Sequence, residues 1–329
     1  MFKSKRGLFV VSLIMLLAIA IGFVAVNVEI INRLTIIDNL CERRVGEGQF
    51  TPDNFKDVDD RADVAAYLID SYETVTFPSR DGVTISGYFI PAAVSSPEST
   101  ETVIITHGFN DCKRRPFSLI PAGMLHRNDM NALVIDLHNH GDSEVTNKRI
   151  SGGVDESSDV LGAWDWLVTE KGIPPEKIGL FGYSLGGATT IHAMAIEPRI
   201  VAGWTDSAFD NMETVLKNEL RKEGFPTWLS SSALLTGKLL FGVDLQSGTP
   251  DQMIQAIGDR PLAIVHSMDD ETVPITSAET LMQVMNIDST DSKVWIAEGA
   301  GHIEIMLYYT EEYEKRLIDF FRQTLNPAP

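Results

Sequence analysis

The stretch Ile178-Gly179-Leu180-Phe181-Gly182-Tyr183-Ser184-Leu185-Gly186-Gly187 decides the fold. Residues 178–181 are a short apolar run of strand type, and residues 185–196 carry apolar and small side chains at helical spacing. The chain therefore turns from strand to helix within a few residues, with Ser184 on the turn. Gly182 and Gly186 remove side chains where strand and helix crowd together, which permits strained backbone angles at Ser184 and lifts its hydroxyl to the edge of a sheet. The same Gly-x-Ser-x-Gly in a plain turn would carry little meaning; the flanking strand and helix supply the context in which a serine becomes a nucleophile.

Working outward, strand-like stretches at 83–90, 102–106 and 132–136 alternate with helix-like ones at 117–127 and 156–171, and 262–266 and 293–297 continue the series past the serine. This alternation predicts an α/β fold: a mostly parallel central sheet with helices on both faces, an antiparallel hairpin at one edge, and sites at the carboxyl ends of the strands. Residues 207–260 break the rhythm. Phe209, Met212, Leu216, Leu220, Phe225, Trp228, Leu234, Leu235, Leu239 and Phe241 recur there at broadly helical spacing, interrupted by Gly224 and Pro226. That pattern fits a helical cap over the site and equally fits peripheral helices packed on the sheet.

Over 74–325 the chain resembles the α/β-hydrolase superfamily, and within it the esterase-like and oligopeptidase-like members. Beside the serine elbow, Ile264-Val265-His266-Ser267-Met268-Asp269-Asp270-Glu271-Thr272-Val273-Pro274 resembles the family's acid loop and Gly299-Ala300-Gly301-His302 its histidine loop. Their order, serine then acid then histidine, is the one this fold uses. The resemblance implies the α/β-hydrolase fold and a catalytic triad of Ser184, Asp270 and His302. It selects Asp270 over Asp269 because the family's acid lies three residues before Val-Pro. Asp206, after the strand that follows the nucleophile helix, is a further candidate because a few members place the acid there; otherwise it would cap the next segment. His107-Gly108-Phe109 resembles the family's oxyanion loop, with the backbone N–H groups of Phe109 and Leu185 as the implied donors. Its short His-Gly form departs from the HGGG type of some lipases.

The run Asp136-Leu137-His138-Asn139-His140-Gly141-Asp142-Ser143 has a rival reading, because His-x-His-x-Asp can gather a metal on one loop. A metallo-β-lactamase-like motif, however, needs a histidine where Ser143 stands. The family's strand-four loop commonly reads Asp-x-Arg-x-x-Gly-x-Ser, and His138 here replaces the arginine, which leaves open the ion pair such an arginine supplies. No metal or other cofactor is expected.

Composition narrows the partners. A net charge of −19 over 329 residues argues against nucleic acid, whose binding needs Lys and Arg to replace counterions. Only Cys41 and Cys112 are present, so there is no disulfide framework and no repeated spacing for a zinc site, and a single bridge is allowed without being indicated. Lys3, Lys5 and Arg6 precede an uncharged run over 7–26, long enough as a helix to cross a hydrocarbon core of about 30 Å. The expected topology is single-pass in the cell membrane, with the N-terminus cytoplasmic and the catalytic domain outside. The alternative is a secreted protein after signal cleavage, since Ala18-Ile19-Ala20 has the small-x-small pattern.

The expected organisation is a membrane anchor or signal peptide over 1–28, a linker with short helices over 29–73, and a catalytic domain over 74–329 with the cap at 207–260. Gly46-Glu47-Gly48 and Thr51-Pro52-Asp53 read as a breaker and a helix start, and the Ser/Pro/Glu cluster at 94–100 as an exposed turn. The expected reaction is carboxylesterase-like cleavage of a small-molecule or lipid-like acyl ester through an acyl-enzyme. Serine peptidase, thioesterase and acyltransferase chemistry are alternatives, and a non-catalytic binding protein on the same fold is the reading from another class.

Overall fold

The computed structural model describes residues 2–38, 41, 50–56, 63–96 and 100–326, with side chains from residue 7 onward. Gly46-Glu47-Gly48 and part of the 94–100 cluster lie outside the described residues, as do the side chains of Lys3, Lys5 and Arg6.

The central strands are nearly unbroken apolar runs because both of their faces are covered. β3 (Thr102–Thr106), β4 (Asn131–Ile135) and β5 (Ile178–Tyr183) are buried along their whole length. Alternate side chains go to opposite cores. Ile104, Leu133 and Leu180 join one apolar cluster, and Val103, Val134 and Phe181 join the other. Helices α3 (Glu156–Thr169) and α4 (Leu185–Ile196) close the first core through Trp164 and Ile191. Helices α2 (Pro116–Arg127) and α7 (Thr310–Leu325) close the second through Leu119 and Phe321.

With β1 (Glu73–Pro78), β2 (Thr84–Ile90), β6 (Gly203–Asp206), β7 (Leu262–Ser267) and β8 (Val294–Ala297), the sheet has eight strands in the order β1-β2-β4-β3-β5-β6-β7-β8. β1 and β2 form the expected antiparallel edge, and the strands from β4 to β8 are parallel. The chain leaves β3 towards one side to make β4, then returns to the other side to make β5. The crevice between the carboxyl ends of β3 and β5, where Thr106 pairs with Gly182, is therefore a topological switch point, where open α/β sheets place their ligands.

Helix α1 (Phe2–Thr35) is exposed over residues 7–26 and then docks on the domain, burying Asn27, Ile31 and Thr35 at helical spacing. It runs past residue 28, where a linker was expected to begin. Its charged Glu29 and Arg33 pair with one another on the opposite, exposed face, so charge in this segment marks a half-buried helix. Thr51-Pro52-Asp53 closes a tight turn on Asn54 instead of opening a helix. Cys41 and Cys112 are disulfide-bonded, with Cα atoms 5.8 Å apart and Phe50 packed on them. The bridge was not indicated by the sequence because its ends are 71 residues apart and only the fold brings them together.

The 207–260 interval is helical. α5 (Met212–Lys222) starts at Asn211, whose side chain accepts from the Thr214 N–H, and α6 (Leu229–Thr236) runs into a π-helix over Gly237–Phe241. α5 reaches the acid loop, where Asn218 Nδ2 donates to the Glu271 carbonyl at 2.6 Å, while α6 packs along α1.

Candidate active site

Ser184 lies between the end of β5 and the start of α4 with φ 53° and ψ −117°. A non-glycine residue held there stores about 1–3 kcal/mol of strain. The elbow is over-determined by its neighbours. The Ser184 N–H donates to the Asp206 carbonyl at 2.8 Å, a Cβ at position 182 would run into the backbone of Gly186, and a Cβ at 186 would run into the Thr106 carbonyl. The glycines are therefore required by close approach.

β7 and β8 deliver the acid and the histidine. His302 Nδ1 lies 2.7 Å from Asp270 Oδ2, and His302 Nε2 lies 3.0 Å from Ser184 Oγ. A carboxylate accepts only, so the ring proton sits on Nδ1 and Nε2 offers its lone pair to the serine hydroxyl. Asp270 Oδ1 accepts from the Thr272 and Val273 N–H groups, both at 2.9 Å. Burial would raise this carboxyl, but the hydrogen bond and charge of His302 outweigh it and hold Asp270 below the usual carboxylate range.

The neighbouring acids have other partners. Asp269 accepts from the Gly299 N–H at 2.6 Å and, with Ser267 Oγ donating to the Ala300 carbonyl at 2.5 Å, clasps the histidine loop to the acid loop. Asp206 accepts from the Tyr313 hydroxyl at 2.7 Å and from Ser207 Oγ at 3.0 Å, and burial pushes its carboxyl up to about 6. Its side chain thus does not cap the following segment, as it would have done if it were not the acid. A buried histidine, His266, stands behind Asp270 with Nε2 on the Val273 carbonyl, and burial lowers its pKa.

The His107-Gly108-Phe109 loop abuts the elbow: a Cβ on Gly108 would sit 3.2 Å from Ser184 Cβ. His107 sets the direction of this loop, a role that residue spacing does not reveal. Its Nδ1 donates to the Gly108 carbonyl at 2.8 Å, while its Nε2 accepts from the Leu137 N–H at 3.1 Å, and burial keeps the ring neutral. In a planar trans peptide the Gly108 C=O and the Phe109 N–H point in opposite directions. Holding the carbonyl on His107 therefore turns the Phe109 N–H away from the ring. Leu185 is the first residue of α4, so its N–H has no carbonyl partner inside the helix. Leu185 follows Ser184 in the chain, and Phe109 follows Gly108, which packs on the Ser184 side chain.

The loop after β4 keeps its ion pair by another route. His138 Nδ1 lies 2.7 Å from Asp159 Oδ2. Burial opposes the charged ring, but the Asp159 hydrogen bond and charge raise His138 to about 9. His140 instead meets the His138 carbonyl and the face of His107, and Asp142 pairs with the fully buried Lys113, which also holds Asp136 at 2.5 Å. His138, His140 and Asp142 thus turn to separate partners. Among the described residues no group of three or more His, Cys, Asp or Glu side chains is placed to hold a metal ion.

The model of the prolyl oligopeptidase family matches residues 126–328. YfhR of Salmonella typhi, an uncharacterised protein, is 24% identical over 267 residues, which is 77% of this chain and 82% of its own. The thiohydrolase aneE of Aspergillus aculeatus is 30% identical over 132 residues, 40% of this chain and 39% of that protein. Among solved structures, the Pyrococcus furiosus esterase Pf2001 aligns with a TM-score of 0.60 at 21% identity, covering 78% of this chain and 93% of its own. The α/β hydrolase GrgF of a Penicillium species aligns with a TM-score of 0.61 at 18% identity, covering 78% and 99%. The family match takes in the serine elbow, the acid loop and the histidine loop, over more than half of the sequence, and the sheet order agrees with it. The chain is an α/β hydrolase and belongs to the prolyl oligopeptidase family.

Proposed function

We propose that the chain is a serine hydrolase that cleaves acyl esters through an acyl-enzyme on Ser184. One observation carries the proposal: the His302 ring bridges Ser184 Oγ and Asp270 Oδ2 through its opposite nitrogens, at 3.0 and 2.7 Å. In this reading His302 Nε2 takes the Ser184 proton as Oγ attacks the acyl carbonyl, and the charged ring is stabilised by Asp270. The developing oxyanion accepts from the Phe109 and Leu185 N–H groups, each such donor being worth roughly 10²- to 10³-fold in rate. The imidazolium then returns the proton to the leaving alcohol as the acyl–oxygen bond breaks. Water, deprotonated by the same nitrogen, attacks the Ser184 ester and releases the acid.

Ester cleavage is favoured over other acyl transfers by the esterase fold neighbour, and the thiohydrolase relative keeps thioesters close behind. A serine peptidase is the second reading, favoured by the family to which the chain belongs. Acyltransferase chemistry shares the same acyl-enzyme and differs only in what resolves it.

The catalytic unit in this reading is 74–329, with 207–260 as its cap. α1 serves as the membrane anchor, being apolar over residues that the domain leaves exposed. The disulfide favours a domain on the extracytoplasmic side, since such bonds persist in oxidising compartments. The test of the chemistry is labelling by an active-site-directed fluorophosphonate. Wild type should be labelled and Ser184→Ala should not; a folded wild type that resists labelling and hydrolyses no acyl substrate would instead mark a binding protein.

A further inference from the structure

The apolar stripe of the 207–260 insertion that most needs an explanation is the one turned away from the domain. Trp228 is 62% exposed, and Phe225, three residues before it ahead of α6, is exposed too. Contiguous apolar surface of this kind marks an interaction site. Its partner is fixed by what the segment lies against.

α1 and α6 run side by side in the same direction. Phe23 stacks on Trp228 with ring centroids 6.1 Å apart, Ser232 Oγ donates to Asn27 Oδ1 at 2.7 Å, and Ile31 packs against Gly237. Each contact lies about one turn further along both helices than the last. Depth is therefore shared between them. The uncharged run over 7–26 fills a hydrocarbon layer of about 30 Å, which places Phe23 about one turn inside its edge. Trp228 cannot stand in water while the ring it stacks on stands in lipid. Tryptophan is the side chain suited to that depth, with an apolar body and one N–H for the headgroup layer. Above it, the exposed Glu29 and Arg33 pair sits where headgroups begin.

We infer that the start of α6, where Phe225 and Trp228 are exposed, is a lipid-docking surface, which seats this end of the 207–260 insertion in the boundary between headgroups and acyl chains beside the anchor. The occupant is bilayer lipid. The inference rests on reading α1 as a membrane anchor and goes beyond it, because an anchor on a slack tether would leave Trp228 in water. It also fixes the height of the site: α5, joined to α6 by a short turn, holds the acid loop through Asn218.

The test uses the full chain in phosphatidylcholine vesicles, with flotation reporting the anchor and tryptophan emission reporting the docked face. α1 has no tryptophan, Trp164 and Trp204 are buried, and Trp228 is exposed. In vesicles whose acyl chains carry bromine near the headgroup, wild-type emission should be quenched relative to unbrominated vesicles. Trp228→Phe should float equally well and lose that quenching. A Phe225→Glu variant should float and show quenching reduced about twofold or more. A floating wild type without quenching, or equal quenching in Trp228→Phe, overturns the docking surface while leaving the anchor standing; if cross-linking then joins two chains at this face, a second copy is the occupant. A chain that does not float overturns both readings, and full quenching in Phe225→Glu overturns Phe225 as part of the docking surface.

Discussion

Replacing Asp270 by asparagine changes a single oxygen to nitrogen and should nearly abolish turnover. In the wild type the carboxylate accepts the His302 Nδ1 proton with one oxygen and the Thr272 and Val273 N–H groups with the other. An asparagine can keep its oxygen on the two backbone donors only by presenting its NH₂ group to His302. The imidazole must then place its proton on Nε2, and that nitrogen, 3.0 Å from Ser184 Oγ, would point a hydrogen at the hydroxyl whose proton it should accept. Loss of the correct tautomer at such a triad costs about 10⁴-fold in kcat, or about 5 kcal/mol of transition-state stabilisation. The controls are the neighbouring acids. Asp269→Asn can still accept from Gly299, and Asp206→Asn can still accept from Tyr313, so both should stay within about tenfold of wild type. The assay is kcat/KM on a chromogenic acyl ester, with thermal melting to show that each variant folds. Near-normal turnover by Asp270→Asn together with collapse of Asp206→Asn would refute the assignment.

Gly182→Ala should give little folded protein, because its Cβ meets the Gly186 backbone, a collision that no rotamer relieves; soluble yield and melting check this. His107→Gln should lower kcat by roughly 10- to 100-fold with a smaller change in KM, because the Gly108 carbonyl loses its anchor and the Phe109 N–H its direction; steady-state kinetics separate the two constants. The His138 ion pair makes stability depend on pH. The folded pKa is raised from 6.5 to about 9, so its stabilisation is complete below 6.5 and is lost as pH rises through 9. Burial raises the Asp159 carboxyl to about 6, so urea midpoints of wild type and His138→Gln should be well separated at pH 7, where both partners are charged, and converge above pH 9. Removing the disulfide by Cys41→Ala with Cys112→Ala should lower stability by roughly 4 kcal/mol, given a closed loop of 71 residues, and denaturant titration of the full chain reads this directly.

What could be read from residues alone followed the strength of the local signal. β3 was legible over its full length because a strand buried on both faces is an unbroken apolar run, and α4 was legible because two glycines and a serine announce its start. The fold class followed from those elements and their alternation. Pairings between distant residues were not legible. Cys41 with Cys112, His138 with Asp159, and Asp206 with Tyr313 are each made by the fold, and nothing local to either partner specifies the other. The choice between Asp269 and Asp270 is of the same kind: adjacent residues of one type differ only in the direction they face. The insertion shows the limit of periodicity. Leu216, Leu220 and Leu234 are buried while Phe225, Trp228, Leu235 and Leu239 are exposed, although all share the same composition and spacing. α6 packs along α1, whose last turns from Glu29 onward looked like linker because Glu29 and Arg33 interrupt them.

The triad calls for a covalent intermediate on Ser184, which mass spectrometry of the enzyme quenched during turnover of a slow acyl ester detects. The peptide containing Ser184 should carry a mass increase of one acyl group, formed with a burst of one leaving group per enzyme, and Ser184→Ala should show neither. Turnover with no adduct, or with the adduct on another residue, would contradict the triad.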